Sequence, residues 1–325
     1  MTASPHPARR RVLVGAAGLA TAALGGVAAF RAMAGARGLA TRTRTGLAFG
    51  TVAALTVAGA DPSALDAALS DAFAAIRGIE DAASLFQATS ALNRLNRAGY
   101  LDAPPPHLTT LLRFALDLAA QSDGAFDPTV QPLWPVWAGA AARGERPDPA
   151  ALREAAARIG WRRVSLMPKR IVLEPGTELT LNALIQGYAA DCVMASLQSY
   201  GIADAFVDTG EFGASGSHPD GTPWRLGIAE PRAPDTLAAV IAPFTGFAAT
   251  SGDYSMSFSP DRTDHHIFDP ATGRSPRGLA SVTVTAPTGL LADGLSTSCM
   301  VLGSTRGRRL VAQHPGCTVR FIDKT

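Results

Sequence analysis

Leu179-Thr180-Leu181-Asn182-Ala183-Leu184-Ile185-Gln186-Gly187-Tyr188-Ala189-Ala190-Asp191 reads as an extended run that turns into a helix. The first turn of that helix, expected over Ile185–Ser199, is amide-rich and small. Free N–H groups at a helix start favour an anion such as phosphate, although many such junctions bind nothing. Upstream of this junction the chain reads as helical. Asp61-Pro62 opens a helix whose Leu65, Leu69, Phe73 and Ile76 share one face. Further helices are expected over Ala82–Ala98, His107–Gln121 and from Asp148-Pro149 to about Ile159. A strand is expected over Ala48–Val57, then Arg163–Met167 and Arg170–Glu174 just before the junction. Downstream, strands dominate: Ala205–Asp208, Trp224–Ala229, Ala238–Pro243, Phe247–Ser251 and Val282–Ala286, with one more helix over Leu291–Leu302. Without strict strand–helix alternation a doubly wound parallel sheet is excluded, and the class is α+β. The expected architecture has two lobes: a helical N-terminal portion on a larger mixed-sheet portion, with a cleft between.

The 325 residues are 47% hydrophobic and 17% charged, which supplies a substantial core and excludes a disordered chain. Residues 1–45 carry seven arginines and no acid, so the rest is net acidic, 22 basic residues against 27 acidic. No basic cluster lies beside aromatics, and nucleic-acid binding is excluded. Cys192, Cys299 and Cys317 form no CxxC pair and suggest neither a disulfide framework nor a zinc knuckle. Arg9-Arg10-Arg11 precedes a mild apolar segment, Val12 to Phe30, broken by four glycines, with Ala32-Met33-Ala34 as a cleavage site. That pattern fits a twin-arginine export signal over residues 1–34, with an uncleaved anchor as the alternative. A linker over 35–46 and one domain over 47–325 follow.

Three further clusters carry chemistry. Ser122–Trp134 contains Gly124-Ala125-Phe126-Asp127-Pro128-Thr129, a rigid loop that either walls a planar ligand or forms a tight corner. Thr250-Ser251-Gly252-Asp253-Tyr254 is followed by Asp264-His265-His266-Ile267-Phe268-Asp269-Pro270. In an extended segment adjacent histidines face opposite sides, so at most one reaches a cleft. In Ala292-Asp293-Gly294-Leu295-Ser296-Thr297, Asp293 and Thr297 stand four apart on a helix. A carboxylate and a hydroxyl on one face suit Mg²⁺, but an exposed first-turn acid beside an ordinary threonine gives the same pattern.

In order and spacing these segments, with Val207–Gly216, resemble the ApbE family of flavin transferases from about Phe49 to Gly303. The resemblance implies an ApbE-like fold that binds FAD and Mg²⁺ and transfers FMN to a threonine or serine hydroxyl of a target protein, releasing AMP. It implies Ala183 (through its carbonyl), Asp293 and Thr297 as metal ligands, and His266 beside the reacting phosphate with Asp253 as its polar partner. Phe49, Phe126, Asp127, Thr129, Gln186, Glu211 and His266 would hold FAD. Thr180, Ile185, Gln186 and Glu211 depart from the family's usual Asp, Ala, Lys and Asp. The glutamine form resembles the twin-arginine-exported branch linked to nitrous oxide reductase maturation. That branch implies a periplasmic enzyme and a membrane-bound acceptor flavoprotein. An FAD pyrophosphatase yielding FMN and AMP, and a non-catalytic exported FAD-binding protein, are the alternative readings.

Overall fold

A tight turn at Phe49-Gly50 joins β1 (Ala40–Ala48) to β2 (Thr51–Gly59), and both turn residues have positive φ, 52° and 80°. Such turns match the twist of the strands they connect. The computed structural model describes residues 38–324; the expected export signal and the first linker residues lie outside them. Of the span expected as linker, residues 40–46 belong to β1, paired throughout with β2. Its alternating threonines suit a pleated surface, and Thr43 and Thr56 hydroxyls meet across the pair at 3.0 Å. Arg42 and Arg44 reach across to Asp66 and Ser70, so the arginines decorate an edge strand.

Asp61 caps α1 (Pro62–Ala83) by accepting the Ser63 N–H at 2.9 Å, and the expected Leu65, Leu69, Phe73 and Ile76 are buried. The helix expected over Ala82–Ala98 is interrupted. Ser90 starts α2 (Ala91–Ala98) afresh by accepting the Asn93 N–H, and the Asn93 side chain donates to the Leu85 and Gln87 carbonyls of the break. Gly99, with φ 75°, ends α2 as expected. Then come β3 (Tyr100–Asp102), α3 (Pro106–Gln121), α4 (Leu133–Ala142) and α5 (Pro149–Ala156). Next are β4 (Val164–Met167) and β5 (Arg170–Leu173), which form a small sheet with β3, before α6 (Ile185–Ser199). The remainder is β6 (Asp204–Asp208), β7 (Phe212–Ser215), β8 (Leu226–Glu230), β9 (Ala233–Ile241), β10 (Gly246–Gly252), β11 (Leu279–Ala286), α7 (Gly289–Val311) and β12 (Thr318–Asp323). Gly303, with φ 74° and ψ 173°, kinks α7 where the sequence predicts its end.

The class is α+β, and the main sheet runs β1-β2-β6-β7-β10-β11-β12. Every neighbouring pair in it is antiparallel, so the expected mixed sheet is corrected: hairpins and long returns, not parallel crossovers, connect its strands. The N-terminal hairpin joins the C-terminal strands through β2–β6, and one core unites α1, α3, α6 and α7 with the sheet. Leu55, Val57, Ile76, Leu112, Val193, Val284 and Leu295 are buried together in it. A smaller aromatic cluster sits apart, where Trp137 packs with Leu133, Leu152 and Phe268.

Candidate functional site

Helices α6 and α7 touch backbone to backbone. A Cβ placed on Gly187 would lie 2.2 Å from the Gly289 carbonyl oxygen, and one on Gly289 would lie 2.3 Å from that of Gly187. Only two glycines allow this approach, and it delivers the buried Asp293 to the start of α6, where its Oδ2 accepts the Gly187 N–H at 3.0 Å. One of the N–H groups read from sequence as an anion cradle is therefore aimed at a carboxylate of the chain itself. In return Asp191 of α6 accepts the Gly289 and Leu290 N–H groups at 2.6 and 2.9 Å and caps α7.

Thr297, one turn beyond Asp293, bonds through its hydroxyl to Ser251 at 3.0 Å, and Ser251 also meets Ser296 at 2.8 Å. Glu211 comes from the turn between β6 and β7. It is buried, and its Oε2 accepts the Thr250 N–H at 3.0 Å. Burial raises the Asp293 carboxyl to about 7, only partly offset by the Gly187 hydrogen bond, with the Asp191 charge adding to the rise. Burial likewise pushes Glu211 well above the ordinary carboxylate range, reinforced by the charges of Asp293 and Asp208. No cationic side chain is among the groups that tune either acid. Ala183 lies in the turn just before α6. Among the described residues no three His, Cys, Asp or Glu side chains are grouped to hold a metal. A set of one carboxylate, one hydroxyl and one backbone carbonyl falls outside that pattern, and its all-oxygen chemistry, beside uncompensated acids, fits a hard divalent cation.

Gln186 lies over Gly210, so close that a Cβ there would fall 2.1 Å from its Nε2, and its backbone carbonyl accepts from Thr209 at 2.8 Å. With Phe49, Asn182, Ile185 and the largely exposed Phe86 it lines a cavity of about 170 Å³. That volume suits one end of a dinucleotide rather than the whole. A larger hollow of about 430 Å³, lined by Arg44, Ser70, Phe73 and Arg77, contains none of the motif residues and is set aside on that ground.

Asp127 and Thr129, expected to hold FAD, have their polar atoms engaged within the loop. Asp127 accepts the Thr129 N–H and hydroxyl at 2.8 and 2.6 Å and the Trp161 N–H at 2.9 Å, while Thr129 Oγ1 accepts the Gly160 N–H. Burial raises Asp127 above the usual carboxylate value in spite of these bonds. Phe126 is part of the main core. These bonds brace the segment as a tight corner, and the Thr180 N–H donating to the Pro128 carbonyl at 2.8 Å fastens it to the strand-like run before α6.

The two histidines do diverge. His265 is fully buried, with Nε2 on the Pro276 carbonyl at 3.1 Å. His266 is half-buried, with Nδ1 3.1 Å from the Met256 carbonyl. A carbonyl only accepts, so His266 carries its proton on Nδ1 and leaves Nε2 with a lone pair. Burial lowers this imidazole below its ordinary value, against the Met256 hydrogen bond and the Asp253 charge, which both raise it. Asp253 makes no hydrogen bond with His266. Fully buried, it takes Arg232 on both oxygens at 2.8 Å and Lys324 at 3.0 Å. Burial alone would raise its pKa, but these two cations hold it below the usual value. Asp253 thus acts on His266 through its charge, while its carboxylate oxygens are taken up by Arg232 and Lys324. Arg232, Lys324 and the Gly187–Gly289 contact escape sequence reading, because each matters only through a partner distant in the chain.

The ApbE family profile matches residues 49–321. The FAD:protein FMN transferase of Treponema pallidum (strain Nichols) is 32% identical over 305 residues, covering 86% of this chain and 84% of the relative. That of Salmonella typhimurium is 33% identical over 255 residues, covering 74% and 72%. Among solved structures, the flavin transferase ApbE from Vibrio cholerae superposes with a TM-score of 0.76 at 27% identity, covering 88% of this chain and 94% of that one. The apo form of Pseudomonas stutzeri flavinyl transferase ApbE gives 0.76 at 30% identity, covering 88% and 92%.

Proposed function

Because the chain belongs to the ApbE family, we propose that it is an Mg²⁺-dependent FAD:protein FMN transferase acting on a threonine or serine hydroxyl. In the reaction the acceptor oxygen bonds to the FMN phosphorus, the bond from that phosphorus to the AMP phosphate oxygen breaks, and AMP leaves. The hydroxyl proton passes to a base. Nε2 of His266 suits that role: its lone pair is free, and the ring is neutral at pH 7 because burial disfavours the cation. Phe49 and Gln186 line the space for one end of FAD. Asp293, Thr297 and the Ala183 carbonyl would hold the cation, which when bound neutralises charge on the pyrophosphate.

The observation that carries this reading is Asp293 itself: a buried acid, fixed by a backbone N–H beside a second buried acid, with no cationic side chain among the described residues acting on either. The glutamine at position 186 and the arginine pair before the apolar segment support an exported, periplasmic member of the nitrous oxide reductase-linked branch, with a membrane-bound flavoprotein as acceptor. The test mixes the protein with FAD, Mg²⁺ and a threonine-bearing acceptor, and reads in-gel flavin fluorescence and AMP together. Both signals are expected. AMP without labelling would replace the transferase with a pyrophosphatase, and FAD binding with neither product would leave a carrier.

A further inference from the structure

The segment that carries His266 runs from Asp253 to Gly278, between β10 and β11, and one residue outside it fastens it at three points. Lys324, just after β12, bonds through Nζ to the Asp253 carboxylate at its start and to the Arg262 carbonyl at its tip. Its own backbone N–H donates to the Gly278 carbonyl at the end, at 3.1 Å. The Lys324 side chain is 10% exposed, so this is a buried cation among oxygens rather than a surface pair. Arg232, between β8 and β9, closes on the same Asp253 with two parallel bonds of 2.8 Å. Arg262 in turn donates to the Pro231 carbonyl at 2.9 Å, next to Arg232, and holds a left-handed φ of 58° at the tip. Within the segment the Met256 carbonyl accepts both the backbone N–H and Nδ1 of His266. The position of that ring thus follows the position of the residues just after Asp253.

We propose that Lys324 and Arg232 are positioning residues of the transferase: their shared grip on Asp253 sets the placement and tautomer of His266. The proposal rests on His266 acting as the base at the site described above. Neither cation has to touch FAD or the acceptor. Cutting the grip should lower kcat while leaving FAD binding nearly intact, because misplacing a reacting group by about an ångström costs on the order of 100-fold in rate.

The test compares full-length wild type with Lys324→Gln, Lys324→Arg and Arg232→Gln. Each is assayed for FMN transfer, with kcat and KM for FAD determined separately. The His266 ring is followed by ¹⁵N NMR, assigned with His266→Gln. Wild type should show only the Nδ1–H tautomer. Lys324→Gln and Arg232→Gln should show mixed tautomers and a kcat lowered roughly 10- to 100-fold at unchanged KM, and Lys324→Arg should recover most of both. Should Lys324→Gln not fold, Arg232→Gln decides, since it spares the carbonyl contacts of Lys324. An unchanged tautomer and kcat in the folded Gln variants overturns the proposal, as does a loss confined to KM. If wild type transfers no FMN, the functional reading fails by itself, and the tautomer comparison still decides the clamp.

Discussion

At the scale of the residue, the site depends on groups that lack side chains as much as on those that have them. Gly187→Ala forces a methyl into the Gly289 backbone. It should cost ~1–3 kcal/mol, read as a lower denaturation midpoint, and weaken cation binding together with stability. Asp293→Ala should instead leave the fold intact while cutting FMN transfer at least ~100-fold and abolishing its Mg²⁺ dependence, consistent with the several kcal/mol a catalytic cation supplies. A transfer rate that still follows the Mg²⁺ concentration would move the metal elsewhere. His265 gives the pH response. Its buried ring is pushed down to about 4 from 6.5, and its Nδ1 has no partner. The unfolded chain therefore takes up a proton that the folded chain refuses. The contribution of His265 to stability is whole above pH 6.5 and falls between 6.5 and about 4, by about 2 kcal/mol at pH 5, while the raised Asp293, Asp191 and Glu211 carboxyls act in the opposite sense. The change in urea midpoint from pH 7 to pH 5, compared between wild type and His265→Gln, isolates it: the wild type should lose more or gain less. That Asp293 and Thr297 share a helix face was legible from their spacing, since four residues is one helical turn, but only the family resemblance singled them out as ligands. Arg232 and Lys324 were not, because no local pattern distinguishes a buried cation from a solvated one.

At the scale of the element, capping chemistry was readable wherever it was local. Asp61-Pro62 announced α1, and Gly99 announced the end of α2. The stretch expected as one helix through Ala82–Ala98 is broken by a Ser90 cap and by Asn93 bonds to preceding carbonyls, which no apolar periodicity reveals. Helix α4 was missed because Pro132 and Pro135 around Trp134 read as a loop. The short β7 closes a tight hairpin with β6 and also pairs with the distant β10, and the polar-flanked β12 owes its pairing to β11 beyond α7. The start of α7 is likewise held from a distance, by Asp191 on α6. Asp191→Ala should cost ~1–2 kcal/mol as a lost cap. Amide exchange should rise at Gly289 and Leu290 before it rises in the middle of α7, and uniform exchange along the helix would contradict the cap.

At the scale of the whole molecule, one sheet is shared by both ends of the chain. Thermal unfolding should accordingly be a single transition, with calorimetric and van't Hoff enthalpies in agreement, and two resolved transitions would show that the halves are separable. The pairing of Ala54–Ala58 with Asp204–Asp208 also sets a clock. Six α-helices and the small sheet lie between those partners, so the hairpin made first must wait, with one edge unsatisfied, until the chain that completes it has been made. Contacts this remote close slowly, and the refolding rate should track the β2–β6 pairing rather than the formation of helices. Until it closes, the half-made sheet is the surface on which a newly made chain would pair with another copy, so a chaperone that shields β2 should raise the yield of active protein more than one that binds α1.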